Sequence, residues 1–126
     1  MIAYAFAEKT GFSKFGSYTG NGNADGAFIY TGFKPAFIII KRYDSGTLDW
    51  MMFDNKRMSG YNPYNDYFKA NTNIAEADNS FIDILSNGFK IRTSDDQVAN
   101  NGGSFLYMVF AAAPLVSSNG VPAVAR

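Results

Sequence analysis

The dipeptide Asn87-Gly88 limits the possible folds of this chain more than any other feature. Asn-Gly between two apolar runs is the strongest short signal for a β-hairpin, because both residues tolerate the positive φ of a type I′ turn. Large apolar residues flank it on both sides, namely Phe81, Ile84 and Leu85 before the turn and Phe89 and Ile91 after it. The sequence therefore predicts two antiparallel strands within residues 80–93.

Three more apolar runs have the length and composition of strands. Residues 36–43 (AFIIIKRY) are rich in β-branched side chains and follow a proline, which predicts a strand buried on both faces. Residues 48–55 (LDWMMFDN) are its predicted hairpin partner, joined to it by the turn residues 44–46 (DSG). Residues 104–113 (SFLYMVFAAA) form a further predicted strand after a glycine-rich loop.

Short strands joined by turns, without crossover helices, predict an all-β fold. We expect a single domain over residues 1–126, built as an antiparallel β-sandwich of the jelly-roll type. Residues 55–79 are low in strand pattern and predict a long loop rich in Asn and Tyr, with a short helical turn near NIAEAD at most. Strand alternation predicts this core: Phe28, Ile38, Ile40, Trp50, Met52, Ile84, Phe89, Ile91, Leu106 and Phe110.

Composition excludes several classes of function. The chain has no Cys and no His, which removes disulfides, thiolate nucleophiles, zinc sites built on these residues and the commonest general base at neutral pH. Eleven basic residues balance eleven acidic ones, so no net charge favours nucleic acid or an anionic membrane. No apolar run approaches the roughly 18 residues of a membrane span, and the start MIAYAFA lacks the basic region of a signal peptide. We expect no nucleic-acid partner and no membrane insertion.

A catalytic site in this chain would have to be built from carboxylates. A glycosidase needs two acids that face each other across a groove, one of them in an apolar pocket. Asp49, Asp54 and Asp83 are the candidates for such a pair, while Asp95 and Asp96 are adjacent and suit a turn. Solvent-facing or salt-bridged acids on alternating strand positions are the favoured interpretation. We therefore predict no enzymatic activity and no cofactor.

The loop NGNADG, from Asn21 to Gly26, is similar to the start of a calcium-binding loop. Its twelfth position, where a bidentate Glu belongs, is Gly32, and only Asp25 brings charge. The glycine spacing is one residue longer than the dinucleotide-binding fingerprint, and no helical pattern follows it. Asn and Gly are also the residues that left-handed turn positions need, so we interpret the loop as a bend without a metal.

The stretch 59–71 (SGYNPYNDYFKAN) combines aromatic rings with amide side chains. Tyr offers an apolar face with a polar tip, and Asn both donates and accepts hydrogen bonds. This mixture suits three roles: a loop folded over the end of the sandwich, a subunit interface, or a surface that binds the rings and hydroxyl groups of sugars. The candidate contact residues are Tyr61, Asn62, Tyr64, Asn65, Tyr67 and Phe68.

Both ends of the chain are apolar. Residues 1–7 (MIAYAFA) predict a strand that pairs with a neighbouring chain or closes its own sheet, and residues 114–126 predict an extended arm whose prolines disfavour a helix. Tyr4-x-Phe6-Ala7 also echoes Tyr107-x-x-Phe110-Ala111, as in arrays of related units. A chain with so much apolar edge is predicted to form homo-oligomers.

Several blocks, in order, resemble a domain of unknown function that recurs in virion proteins of tailed bacteriophages, mainly predicted tail-fibre and tail-associated proteins. They are SYTGNG (17–22), TGFKPAFIIIKR (31–42), FDNKR (53–57), ILSNGFKIR (84–92) and GGSFLYMVFAAAPL (102–115). The resemblance implies a structural component of the virion, in the tail fibre, tail or capsid decoration, that acts by self-assembly with itself and other virion proteins. The alternative that it leaves open is a receptor-binding module that recognises host glycan through residues 59–71. It provides no catalytic residue.

Overall fold

The computed structural model describes residues 1–57 and 61–113, and for Tyr64 and Asn65 the backbone. Within these ranges the chain forms strands and turns. It contains no helix there, and therefore none that could cross a membrane. The strands are β1 (Ser13–Thr19), β2 (Phe28–Tyr30), β3 (Pro35–Arg42), β4 (Trp50–Asp54), β5 (Tyr64–Lys69), β6 (Ala77–Leu85), β7 (Gly88–Ile91) and β8 (Ser104–Ala111). The predicted arm 114–126 lies outside the described residues.

All eight strands belong to one antiparallel sheet in the order β1-β8-β3-β4-β5-β6-β7-β2. The sheet curls into a nearly closed barrel whose two free edges are β1 and β2. Strands β3 to β7 follow one another as a meander, while β8 returns from the end of the chain to lie between β1 and β3. The all-β, antiparallel prediction is confirmed, whereas the sandwich and jelly-roll arrangement is not.

The two predicted hairpins form in the expected places. Ile38 lies opposite Phe53 in the β3–β4 pair, and Ile84 lies opposite Phe89 across the Asn-Gly turn of the β6–β7 pair. Inward side chains of these strands and of β8 fill the barrel. The largest fully buried side chains are Phe53, Phe81, Phe89, Phe105, Ile38, Ile40, Met51, Ile82, Ile91, Val98, Val109 and Pro35.

Half of the predicted core residues point away from the barrel interior. On β4 the buried residues are Met51 and Phe53, and Trp50 is 44% exposed. On β8 the buried residues are Phe105, Tyr107 and Val109, and Leu106 is 47% exposed. Phe28 is also exposed, and Met52 and Phe110 are half-buried on the outer face. The prediction is wrong for these five residues because β2, β4 and β8 carry apolar or aromatic side chains on both faces, so that alternation alone does not identify the inner face.

The predicted long loop is also shorter than expected. Residues 64–69 form β5, which pairs with β4 through Met52 and Phe68 and with β6 through Tyr67 and Ala77. Residues 77–85 form β6, so the NIAEAD segment runs into a strand rather than a helical turn. Both strands are stabilised by pairing with the strands that precede and follow them in the chain, and the propensity of single residues does not reveal such pairing.

Candidate functional site

The outer face of the sheet carries an apolar row that crosses five strands. Phe15 of β1 lies opposite Met108 of β8, which lies opposite Ile39 of β3. Ile39 in turn faces Met52 of β4, and Met52 faces Phe68 of β5. Directly opposite residues on antiparallel strands have Cβ atoms about 5 Å apart, so these five side chains form one continuous strip, the outer row.

A groove of about 560 Å³ runs beside the outer row. Trp50, Leu106 and Lys41 line it together with Ile39 and Met108 of the row. The Lys41 ammonium donates a hydrogen bond to the Leu48 carbonyl, so a backbone group of the same chain already binds this charge. The groove is therefore mostly apolar and open, and its large exposed apolar side chains are Trp50, Leu106 and Phe6.

Phe110 is the centre of an aromatic cluster at one end of this face. Its ring centroid lies 6.0 to 6.3 Å from those of four other rings, Phe6, Phe12, Phe15 and Phe37. Phe6 is the one aromatic residue of the segment 1–7 in this cluster, and it remains 57% exposed. The preceding residues Met1, Ile2 and Tyr4 are exposed, and residues 1–8 belong to no strand of this chain.

The candidate contact residues of 59–71 do not share one surface. Tyr67 packs inward against Phe81, with ring centroids 4.9 Å apart, and Phe68 lies on the outer face. The Asn62 side chain binds the backbone of Ile84 on β6. Its amide nitrogen donates to the Ile84 carbonyl at 2.9 Å, and its amide oxygen accepts from the Ile84 N–H at 2.7 Å. Tyr61 is 70% exposed and is available to a partner. Tyr64 and Asn65 contribute their backbone to β5.

Charged groups border the outer row at β5. The Arg57 guanidinium carbon lies 3.7 Å from the centroid of the Phe68 ring, a cation–π contact. The same guanidinium forms ion pairs with Asp54 at 2.5 Å and Glu76 at 2.7 Å. The hydrogen bonds that Arg57 donates to Glu76 and Asp54 outweigh the effect of partial burial and raise the pKa of Arg57. This end of the strip is therefore covered, and the part beside Trp50 and Leu106 is open.

The loop 21–26 uses its own oxygens internally. The Asn21 side-chain oxygen accepts the Asn23 N–H at 3.1 Å, and the Asn23 oxygen accepts the Asp25 N–H at 2.9 Å. The Asp25 carboxylate pairs with Lys90 at 2.5 Å, and this hydrogen bond lowers its pKa. Gly22 has a φ of 64°, as the turn interpretation requires. The loop connects β1 to β2, the two edges of the sheet.

The acids considered for catalysis are paired with cations. Asp49 lies 2.9 Å from the Lys69 ammonium, and Asp83 lies 3.3 Å from the Arg92 guanidinium. The hydrogen bonds to Asp49 from Lys69 and then Asn71 lower its pKa, whereas a glycosidase acid needs a raised one. Among the described residues, no three acids are grouped closely enough to hold a metal ion. These contacts suit structural ion pairs.

Sequence reasoning missed the outer face because it assigned Trp50, Leu106 and Phe110 to the core. A signal was nevertheless present: in SFLYMVFA every residue from Phe105 to Phe110 is apolar, whereas a strand with one solvated face alternates. Such a run on an antiparallel strand indicates that both faces are covered. The inner face packs into the barrel interior. Within the described residues, the outer face of the sheet is covered in part, by Phe6 at Phe110 and by Arg57 at Phe68.

Comparison with known proteins places this chain in a family without assigning it an activity. No curated protein and no solved structure matches the sequence. A family profile described as a domain of unknown function, DUF7483, matches residues 1–114. That description names no virion protein, so the resemblance to phage proteins stays a prediction. Because the match covers most of the chain, this protein belongs to the DUF7483 family.

Proposed function

We propose that this chain is a non-enzymatic structural module that assembles with copies of itself through the outer face of its sheet. The observation that carries the proposal is the open apolar groove beside the outer row, where Trp50 and Leu106 are 44% and 47% exposed. Burying apolar surface is favourable by about 25 cal/mol per Å², and contiguous exposed patches on soluble proteins usually mark interaction sites. A neutral net charge leaves little electrostatic repulsion between copies.

The setting that we propose for this assembly is a bacteriophage virion. Its support is the sequence resemblance to domains of tail-fibre and tail-associated proteins, and capsid decoration belongs to the same proposal. Virion parts work by stable packing against one another, and an apolar face on a rigid sheet suits that role. Antibodies raised against the chain should decorate intact particles at one defined place, and particles without any label would contradict this setting.

A two-layer sandwich is the finer description of the fold that we propose. Rings from distant strands of the sheet meet inside it, since the Phe89 ring of β7 lies 5.8 Å from the Tyr107 ring of β8. Such contacts across the interior are what two packed layers require.

Replacing Leu106 by Glu tests the assembly proposal. The side chain lies in the groove, so the charge would have to be buried in the interface, while on the free chain it stays in water beside Lys41. We expect a monomer by light scattering at concentrations where the unmodified chain is oligomeric. The matched control is Ile74→Glu, since Ile74 is 56% exposed between β5 and β6 and lies outside the groove. Equal association of L106E and the unmodified chain would contradict the proposal.

Glycan binding through residues 59–71 is the second candidate function. The observation in its favour is Tyr61, which presents 70% of its surface to solvent and is free to stack on a sugar ring. Tyr61→Ala should abolish binding to host-surface glycan, with Tyr43→Ala as the control because Tyr43 is also exposed. Binding that is unchanged in Y61A, or absent in the unmodified chain, would reject this candidate.

A further inference from the structure

The hydrogen-bond pattern of β1 shows which of its residues face β8. Ala111 donates its N–H to the Phe12 carbonyl at 2.9 Å, and Gly20 donates to the Gly103 carbonyl at 2.9 Å. The register between these two points is continuous. Antiparallel pairs alternate strictly, so the even-numbered residues of β1 direct their backbone groups towards β8. The odd-numbered residues direct theirs to the free edge.

The free edge of β1 is largely unoccupied. Lys9 and Ser13 exchange backbone hydrogen bonds of 3.3 and 2.9 Å, which occupies the first odd position. The N–H and C=O groups of Phe15, Ser17 and Thr19 form no backbone hydrogen bond with residues 1–57 or 61–113. An exposed strand edge of this kind is a template for an added strand.

The segment 2–7 has the pattern of such a strand. In IAYAFA, large apolar residues alternate with alanine, so an extended chain has Ile2, Tyr4 and Phe6 on one side and only methyl groups on the other. Ile2 and Tyr4 are 82% and 84% exposed, and no residue of this segment lies in a strand. The segment is therefore an apolar strand without a sheet.

The segment leaves the β1 edge of its own chain after one bridge. The Ser13 hydroxyl donates to the Ala7 carbonyl at 3.1 Å, and that side-chain contact occupies a backbone acceptor that a ladder would use. The Phe6 ring lies 6.2 Å from both Phe15 and Phe110, over the outer face. The pairing that begins at Lys9 and Ser13 therefore stops there.

We infer that residues 2–7 of a second copy of this chain add to the free edge of β1 as a further strand, an inference that rests on the proposed self-assembly. The large side chains of the added strand extend the outer row beyond Phe15. Its alanines turn to the inner side, where Tyr107 already fills the space over Gly16, with its hydroxyl oxygen 2.6 Å from the position of a Cβ on that glycine. Small residues are what this side accepts.

The area involved is sufficient for a stable dimer. An aromatic side chain buries about 200 Å², and Tyr4 and Phe6 are 84% and 57% exposed, so each segment carries about 300 Å² of aromatic surface alone. If two copies exchange their segments, these surfaces and the equal areas that they cover add to about 1,200 Å², the lower limit of standard stable interfaces. Ile2 and the backbone add to this value.

Proline at the free edge tests the inference in the full chain. Ser17→Pro removes an N–H group that forms no hydrogen bond with β8, and an edge strand tolerates such a change. An added strand, however, needs this N–H group as a donor. Ala5→Pro removes an N–H from the exposed segment. We expect both variants to keep the circular dichroism spectrum of the unmodified chain and to associate at least tenfold more weakly in sedimentation. Ser17→Ala and Ala5→Ser are the matched controls and should associate normally.

A cross-link supplies a second readout if S17P does not fold. The chain has no Cys, so a tagged Ser17→Cys chain mixed with an untagged Ile2→Cys chain should form a disulfide-linked heterodimer under mild oxidation, because both side chains lie on the outer side of the extended sheet. Ile74→Cys in place of S17C should not. Normal association of S17P and A5P, or no S17C–I2C heterodimer, overturns the inference. If L106E still dissociates the oligomer in that case, the proposed function stands, whereas an unmodified chain that is monomeric rejects the proposed function itself.

Discussion

Two neighbouring residues of β8, Phe105 and Leu106, should respond very differently to truncation. The Phe105 side chain is fully buried, and its ring stacks on Tyr18 with centroids 5.0 Å apart. Phe→Ala at such a site loses transfer free energy and leaves a cavity, so the free energy of unfolding should fall by about 3–5 kcal/mol. For a domain of this size that corresponds to a decrease in Tm of roughly 10–20 °C.

Leu106 lies on the outer face and is 47% exposed. Full burial of a leucine side chain stabilises a protein by about 1.5–3 kcal/mol, and a half-exposed leucine contributes about half of that free energy. Removing this side chain leaves no closed cavity. Leu106→Ala should therefore cost about 1 kcal/mol, measured by urea unfolding at a concentration low enough to keep the chain monomeric. The ratio of the two losses reports directly which face of β8 is the core.

A loss in L106A as large as that in F105A would refute this assignment of the two faces. It would show that Leu106 is enclosed within the folded monomer, which removes the groove and the surface on which assembly is proposed. A small loss in F105A would have the same meaning for the inner face.

Three further outcomes follow from the loops and the interior. A Cβ on Gly20 would lie 2.3 Å from the Asn100 carbonyl oxygen, so Gly20→Ala should lower the free energy of unfolding, measured in urea, by about 2 kcal/mol. A Cβ on Gly46 would meet no neighbouring atom within 4 Å, so Gly46→Ala should be tolerated. The buried Tyr18 hydroxyl donates to a carbonyl at 2.6 Å, and Tyr18→Phe should cost about 1–2 kcal/mol. Burial raises the pKa of Tyr18 above its ordinary 10.0, so this tyrosine ionises in the unfolded chain at a lower pH than in the folded chain. The free energy of unfolding therefore falls as the pH rises above 10.0, and thermal melts at alkaline pH should show a smaller fall for Y18F. Because Asn21 and Asn23 use their side-chain oxygens within the loop, thermal melts with calcium and with a chelator should coincide, and a large drop with the chelator would contradict the turn interpretation.

The hairpins were predictable because their signals are local. Asn87-Gly88 specifies a tight turn between β6 and β7, and the short polar turn 44–46 lies between two apolar runs that pair as expected. The faces of β4 and β8 were not predictable from alternation, since WMMF and FLYMVF are apolar at every position. Which parity lies inside depends on the pairing of β8 with both β1 and β3, a contact between distant parts of the chain.

The candidate site was predicted only in part for a similar reason. Residues 59–71 attracted attention by their Tyr and Asn content, but pairing with β4 and β6 turns Tyr67 into the interior and Phe68 onto the outer face. Asn62 is used to hold Ile84. The apolar character of residues 1–7 was visible in the sequence, whereas the free edge of β1 emerges only from the strand order.

Sedimentation velocity of the unmodified full chain, from low to high micromolar concentration, tests the central claim of self-assembly most directly. Micromolar association corresponds to about −8 kcal/mol, which is within reach of an interface of about 1,200 Å². We expect a sedimentation coefficient that rises with concentration towards that of a defined oligomer, and a return to the monomer value in L106E but not in I74E. A single monomeric species at every concentration would contradict the claim.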